Sequence, residues 1–285
     1  MLQLPAVLLL DGAMGTELFL RGLVWGELPE RWLLERPDEV ARVHAAHAAA
    51  GAELVLSCTF NLASPKRLKD AGLAANVETL AETAVRLARR SAPGALVAGA
   101  VGPTGLITPQ KEEPSAETLA EWYRDAGRAL KGAGVDLLWA ESQWSLAEAR
   151  IALLAFKETG LPVAVTLSPV TSGGSLLAGS GEALGDAFHT LVEAGAAAVG
   201  INCVLPNAPV TSTLRQATGL GVPIIAKPSA GLPGSVIEPK DFARWLVELR
   251  GAGAGWLGGC CGATPAHLAA ARELLGSGRV QSPAK

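Results

Sequence analysis

The chain has 285 residues, 49% of them apolar, and a net charge of −3. That is ample apolar sequence for a large core, and the acidic balance offers no basic surface for nucleic acid. No apolar run approaches the ~18 residues of a membrane span, and Leu2 to Leu10 lacks the basic flank and small-residue cleavage site of a secretory leader, so it reads as a strand.

Short apolar runs alternate with longer amphipathic stretches along the whole chain. The runs are Val7–Leu10, Glu53–Ser57, Leu96–Val101, Val135–Ala140, Pro162–Leu167, Ala197–Asn202, Pro223–Ala226 and Gly253–Leu257. Most are continuously apolar, as parallel strands covered on both faces are. Helical patterns lie between them, at roughly 37–50, 75–91, 115–133, 145–159, 183–194, 208–219, 238–251 and 265–275. Start signals stand at Pro37-Asp38, at Ser115 with Thr118, at Pro239 with Asp241 and at Thr264-Pro265, while Gly51, Gly134, Gly160, Gly195 and Gly251 mark ends. Eight βα units in one uninterrupted series predict a single-domain α/β fold, a (β/α)8 TIM barrel over residues 1–285, with its core at about 7–275 and a tail at 276–285. A doubly wound open sheet is the runner-up, but no GxGxxG follows the first strand.

In such a barrel the active site lies where the strands end. The residues that follow the runs are Asp11-Gly12, Cys58 to Asn61, Gly102 to Gly105, Glu141, Ser168-Pro169, Cys203, Lys227 to Ser229 and Cys260-Cys261. Polar, acidic and thiol groups therefore gather at one rim. Three of the chain's four cysteines are among those at the ends of strands six and eight. Four cysteines in a chain of this length are no secreted disulfide framework, and metal binding or catalysis in a reducing cytoplasm is the better account.

Zinc takes four ligands and suits thiolates. Cys203, Cys260 and Cys261 supply three and leave a fourth position open, which is the catalytic pattern. Three thiolates on Zn2+ give a formal charge of about −1, a weak Lewis acid for activating water. Such a centre still holds a substrate thiol as thiolate, although a free thiol has a pKa of roughly 8.5. The expected chemistry is alkyl transfer to a thiol.

Five motifs add to this. Asp11-Gly12-Ala13-Met14-Gly15-Thr16-Glu17, Val101-Gly102-Pro103-Thr104-Gly105, Gly200-Ile201-Asn202-Cys203, Lys227-Pro228-Ser229-Ala230-Gly231-Leu232-Pro233 and Gly258-Gly259-Cys260-Cys261-Gly262 resemble, in order and spacing, the homocysteine S-methyltransferase family. The resemblance runs from about residue 7 to residue 275. It implies a zinc-dependent barrel in which Cys203, Cys260 and Cys261 are the metal ligands and homocysteine sulfur completes the tetrahedron. It further implies that Asp11 and Glu141 hold the homocysteine amino group, and that backbone groups near Gly12 and Ala13 and near Ser57 to Thr59 receive its carboxylate. The product is then methionine. The Lys227–Pro233 stretch is most similar to the homocysteine-binding module of cobalamin-dependent methionine synthases, with Ser229 where that module has an Asn able to act as a displaceable zinc ligand. That leaves the fourth ligand in the substrate-free state open.

The resemblance allows several methyl donors. One is methylcobalamin charged by methyltetrahydrofolate and delivered by a separate corrinoid protein, which the module likeness favours. The others are S-methylmethionine, S-adenosylmethionine or betaine, bound directly. A homocysteine-activating module of a multi-protein methionine synthase, inert alone, is the alternative function. Cys58 is expected to be a packed or near-site thiol. His44 and His47, three apart on an Ala-rich helix, are expected to be structural or solvated, as are His189 and His267. Trp122, Trp139, Trp245 and Trp256 read as packing, while Trp25, Trp32 and Trp144 are candidates to line or cover the pocket. Asp11 has a competing reading as a helix cap, and Glu141 as a rim ion-pair partner. Lys227 is not read as a Schiff-base lysine.

Overall fold

The computed structural model describes residues 4–73, 76–105, 114–205, 208–232 and 234–276. Eight parallel strands run in chain order: β1 (Leu8–Leu9), β2 (Leu54–Leu56), β3 (Leu96–Val101), β4 (Leu137–Gln143), β5 (Val163–Leu167), β6 (Ala198–Asn202), β7 (Ile224–Lys227) and β8 (Trp256–Leu257). Each pairs with its sequence neighbour, and β8 pairs with β1 through Leu8 opposite Trp256. A parallel bridge between Leu10 and Leu54 and the bond from Asp11 N–H to the Leu54 carbonyl (3.0 Å) close the ring. This is a (β/α)8 barrel.

The helices between the strands match the amphipathic stretches of the sequence: Pro37–Ala49, Val77–Ser91, Ala116–Ala133, Leu146–Lys157, Leu184–Glu193, Ala208–Gln216, Pro239–Gly251 and Pro265–Leu275. Two start signals act as expected. Ser115 Oγ accepts the Thr118 N–H at 3.1 Å. Thr264 forms a capping box with His267, whose Nε2 lies 2.7 Å from the Ile237 carbonyl. Each cap satisfies amide groups that the first helical turn leaves unpaired. His267 is therefore structural.

Alternation along the strands sorts the core into two layers. Leu8, Leu10, Leu54, Leu56, Ala98, Ala100, Leu137, Trp139, Ala164, Ala198, Ile225 and Trp256 fill the barrel interior. Their neighbours, such as Val55, Val97, Leu138, Val165 and Val199, face the helices. The indoles of Trp139 and Trp256 lie 6.0 Å apart at their centroids, against the alanines of β3, β5 and β6. Each indole N–H is satisfied: Trp139 donates to Thr166 Oγ1 at 3.0 Å and Trp256 to the Pro5 carbonyl at 2.8 Å. Burying each indole contributes roughly 5 kcal/mol by area. This apolar plug forms the floor beneath the strand ends.

The sequence patterns miss the short elements. Helices Trp32–Glu35 and Pro65–Asp70 and the hairpins Val170–Ser172/Ser175–Leu177 and Gly231–Leu232/Ser235–Val236 all lie in connections, whereas the short helix expected to start near Gly15 is present as Met14–Leu20.

Candidate metal centre and substrate cavity

The glycines around the cysteine pair have a packing reason. The chain beyond β8 threads between the segments that follow β1 and β7. A Cβ on Gly258 would stand 2.6 Å from the Leu10 Cβ and 2.8 Å from the Asp11 carbonyl, so any side chain there collides with β1. Gly262 has φ +76° and presses on the backbone of Gly231. Gly259 N–H donates to the Asp11 carbonyl (3.0 Å) and Cys260 N–H to the Pro228 carbonyl (2.7 Å), pinning the turn from both sides. Ser229 is held in the same seam: its hydroxyl donates to the Cys261 carbonyl (3.0 Å) and accepts the Gly231 N–H (3.1 Å).

Cys203 reaches this turn from the end of β6. Its backbone is left-handed (φ +56°), as is that of Ser142 after Glu141 (φ +54°). Such conformations cost roughly 1–3 kcal/mol each for side-chain-bearing residues and concentrate at functional sites. The three sulfurs of Cys203, Cys260 and Cys261 lie within 4.8 Å of one another. Cys261 Sγ is 3.9 Å from Cys203 Sγ and 4.0 Å from Cys260 Sγ. A tetrahedral zinc with Zn–S bonds of ~2.3 Å holds its sulfurs ~3.8 Å apart, so Cys261 already stands at ligand spacing from both others. The sulfurs of Cys203 and Cys260 are in close contact, with Cα atoms 5.4 Å apart. Asn202 Nδ2 lies 3.8 Å from Cys203 Sγ and 3.9 Å from Cys260 Sγ and also donates to Ser142 Oγ. N–H groups aimed at sulfur suit thiolates, which only accept. The donor set fits a soft metal ion.

The carboxylates stand beside the sulfurs. Asp11 caps no helix. Its Oδ1 forms an ion pair with Lys227 Nζ, and its Oδ2 accepts the Leu56 N–H at 2.7 Å. Both residues are 2% exposed. Glu141 lies in the cavity wall, and its burial raises its pKa to about 7, against the lowering effect of Lys227 and with a further rise from Asp11. Burial and the nearby Glu141 charge push the Cys261 thiol up. Ser57 and Thr59 spend their hydroxyls on each other (2.5 Å) and on the backbone of β3 through Ala100. The amides of Ala13, Ser57 and Thr59 are also used, donating to Ala263, Ala98 and Ser57 carbonyls. Among the described residues, the Gly12 and Cys58 amides in these two loops have no protein acceptor.

All of these groups open on one cavity of about 670 Å³. It continues outward past Phe19, Trp25, Phe60, Glu30, Asn61 and Arg67. Of the candidate tryptophans, Trp25 lines this mouth, Trp32 is buried in the core, and Trp144 packs on Gly179 outside the cavity. Cys58 is buried, and its thiol is pushed up by burial and by Glu30. Sequence patterns did not single out Lys227 as the counter-ion of Asp11, nor Ser142, Asn202, Glu30 or Arg67. The detectable signal for Lys227 was a lysine inside a buried strand, which calls for a paired carboxylate.

A barrel whose strand ends carry three converging thiols over an open cavity is an enzyme built for sulfur chemistry. The family model described as homocysteine S-methyltransferase matches residues 8–275, and the chain belongs to that family. It is 32% identical to the homocysteine S-methyltransferase of Escherichia coli, with 93% of this chain and 94% of that protein covered. It is 28% identical to the methionine synthase of Mycobacterium tuberculosis over 90% of this chain, but spans only 24% of that protein. Among solved structures it is similar to the metallated form of the Escherichia coli homocysteine methyltransferase MmuM, with a TM-score of 0.80, 28% identity and coverage of 95% and 96% of the two chains.

Proposed function

We propose that this chain transfers a methyl group to the sulfur of homocysteine, forming methionine, with Cys203, Cys260 and Cys261 as the ligands of a zinc ion. The observation that carries this reading is the convergence of the three sulfurs, from β6 and β8, within 4.8 Å at the floor of the cavity. A zinc ion held there supplies the charge that keeps the homocysteine sulfur a thiolate at neutral pH, below the free-thiol pKa of roughly 8.5.

The chain's own groups orient the amino acid. Glu141 offers a carboxylate to the homocysteine ammonium. Asp11 adds its negative field from behind, its oxygens held by Lys227 and the Leu56 N–H. The amides of Gly12 and Cys58, in the loops that carry Ala13, Ser57 and Thr59, receive the substrate carboxylate. Asn202 donates toward two of the ligand sulfurs and so steadies their thiolate form. Thiolate ligands need a reducing compartment, which supports a cytoplasmic enzyme.

Replacing Cys260 with Ala tests the reading. The variant is expected to lose both bound zinc, measured by elemental analysis, and methionine formation. An active variant without zinc would sink the proposal. The second reading, a homocysteine-activating module that is inert alone, is supported by the likeness to one quarter of a methionine synthase. Turnover of the purified chain with any free methyl donor rejects it.

A further inference from the structure

We propose that Thr16 is a positioning residue for the metal: its hydroxyl holds the turn that aims Cys261, and ties the substrate loop after β1 to the metal centre. This rests on the zinc-thiolate reading above. In the motif from Asp11 to Glu17, substrate binding takes up Asp11 and the loop at Gly12 and Ala13, and leaves Thr16 without a role. Thr16 stands in the first turn of the helix Met14–Leu20 and lines the same cavity.

Thr16 Oγ1 accepts the Gly262 N–H at 3.1 Å, and among the described residues that N–H has no other acceptor. The carbonyl of the same peptide unit belongs to Cys261. It accepts the Ala230 N–H at 2.8 Å and the Ser229 hydroxyl at 3.0 Å. The Cys261–Gly262 peptide plane is therefore gripped on one edge by the chain after β1 and on the other by the chain after β7. Ser229 also donates its own N–H to the carbonyl of Val204, next to Cys203, at 2.9 Å. The grip thus reaches the segment of the third sulfur. Other bonds across the seam between the chain after β1 and the cysteine turn, Gly259 N–H to the Asp11 carbonyl and Ala13 N–H to the Ala263 carbonyl, run backbone to backbone. Thr16 joins the same seam through a side chain.

This plane needs to be held. Gly262 takes φ +76° with its Cα against the backbone of Gly231, so a side chain is excluded there. Glycine turns freely about φ, and the peptide plane before it is the joint about which Cys261 can swing. With the plane fixed, Cys261 Sγ stands 3.9 Å from Cys203 Sγ and 4.0 Å from Cys260 Sγ. Without the Thr16 hydroxyl, a buried N–H loses its acceptor, and rotating the plane toward another one moves the sulfur.

The zinc affinity of the reduced full-length chain, measured by competition with a chromophoric chelator, tests this. Thr16→Val keeps the shape of the side chain without its hydroxyl and should weaken zinc binding by about tenfold or more, as loss of a group that orients a ligand does. Thr16→Ser offers the same acceptor and should stay within about threefold of the wild type. Ser115→Ala removes a remote helix cap and is the control for general destabilisation. It should lower the melting temperature and leave zinc affinity unchanged. Wild-type affinity in Thr16→Val overturns the inference, as does an equal loss in Thr16→Ser or in Ser115→Ala. Hydrogen exchange on the wild type gives a reading that needs no variant to fold. Coupling is reciprocal, so zinc should slow exchange of the Gly262 amide by about tenfold or more. Equal exchange with and without zinc overturns the inference. A wild type that binds no zinc fails the metal reading and the inference with it. A wild type that binds zinc but turns over no methyl donor fails the methyl-transfer reading alone, and the affinities still decide on Thr16.

Discussion

Asp11 and Lys227 form a buried ion pair beside the sulfurs, and neither can be removed alone without leaving the other's charge in the barrel. An uncompensated buried charge costs about 3–5 kcal/mol, whereas removing both partners is far milder. Lys227→Met is therefore expected to destabilise the protein by that amount in urea denaturation. The double variant Asp11→Asn/Lys227→Met should recover most of the loss. Equal destabilisation in the two would show that the pair is not coupled. Asp11 itself was legible in the sequence from its place after the first strand. Its partner was not, because 216 residues separate them and only barrel closure brings the end of β7 across β8 to within reach of the residue after β1. Glu141 and the three cysteines were legible for the same reason as Asp11: each follows a recognisable strand. Arg67 follows no strand, and nothing in its spacing marked it.

The helix Pro37–Ala49 shows what an element adds that its pattern conceals. Its limits were readable from Pro37 and Gly51, and of the two states expected for its histidines, structural or solvated, both residues take the structural one, fully buried. Small alanines draw the helix close to the barrel, so the imidazoles stand behind the loop that follows β1, where a Cβ on Gly12 would lie 3.0 Å from His47 Nε2. Burial lowers the pKa of His44 to about 4 and that of His47 to about 3, the latter helped by Lys227 and Arg21. A depressed histidine contributes stability that is present above its unfolded pKa, near 6.5, and is lost as pH falls toward the folded value. At pH 5 the two together should have cost roughly 4 kcal/mol relative to pH 7. Glu141 acts in the opposite sense, since a raised acid favours the folded state more as pH falls. Comparing the wild type with His44→Leu/His47→Leu isolates the imidazoles. The double variant should lose less stability between pH 7 and pH 5, and parallel profiles would contradict the account. The missed hairpins have a simpler cause: three-residue and two-residue strands in exposed connections carry no apolar run to read.

At the scale of the molecule, the barrel's eight strands and the helices between them were legible because each strand is buried on both faces and each helix on one. What the ring adds is convergence. Cys203 and the Cys260–Cys261 pair are 57 residues apart in sequence and meet because β6 and β8 both flank β7. The glycines that flank the cysteine pair, Gly258, Gly259 and Gly262, are the means by which the chain after β8 reaches that seam. The account's central claim is that three protein thiols hold zinc and the fourth position belongs to the substrate sulfur. X-ray absorption at the zinc edge, on the reduced and zinc-loaded chain, tests this most directly. Three sulfur neighbours and one lighter atom at most are expected without substrate, and four sulfurs at ~2.3 Å once homocysteine is added. A coordination shell that homocysteine leaves unchanged would contradict the account.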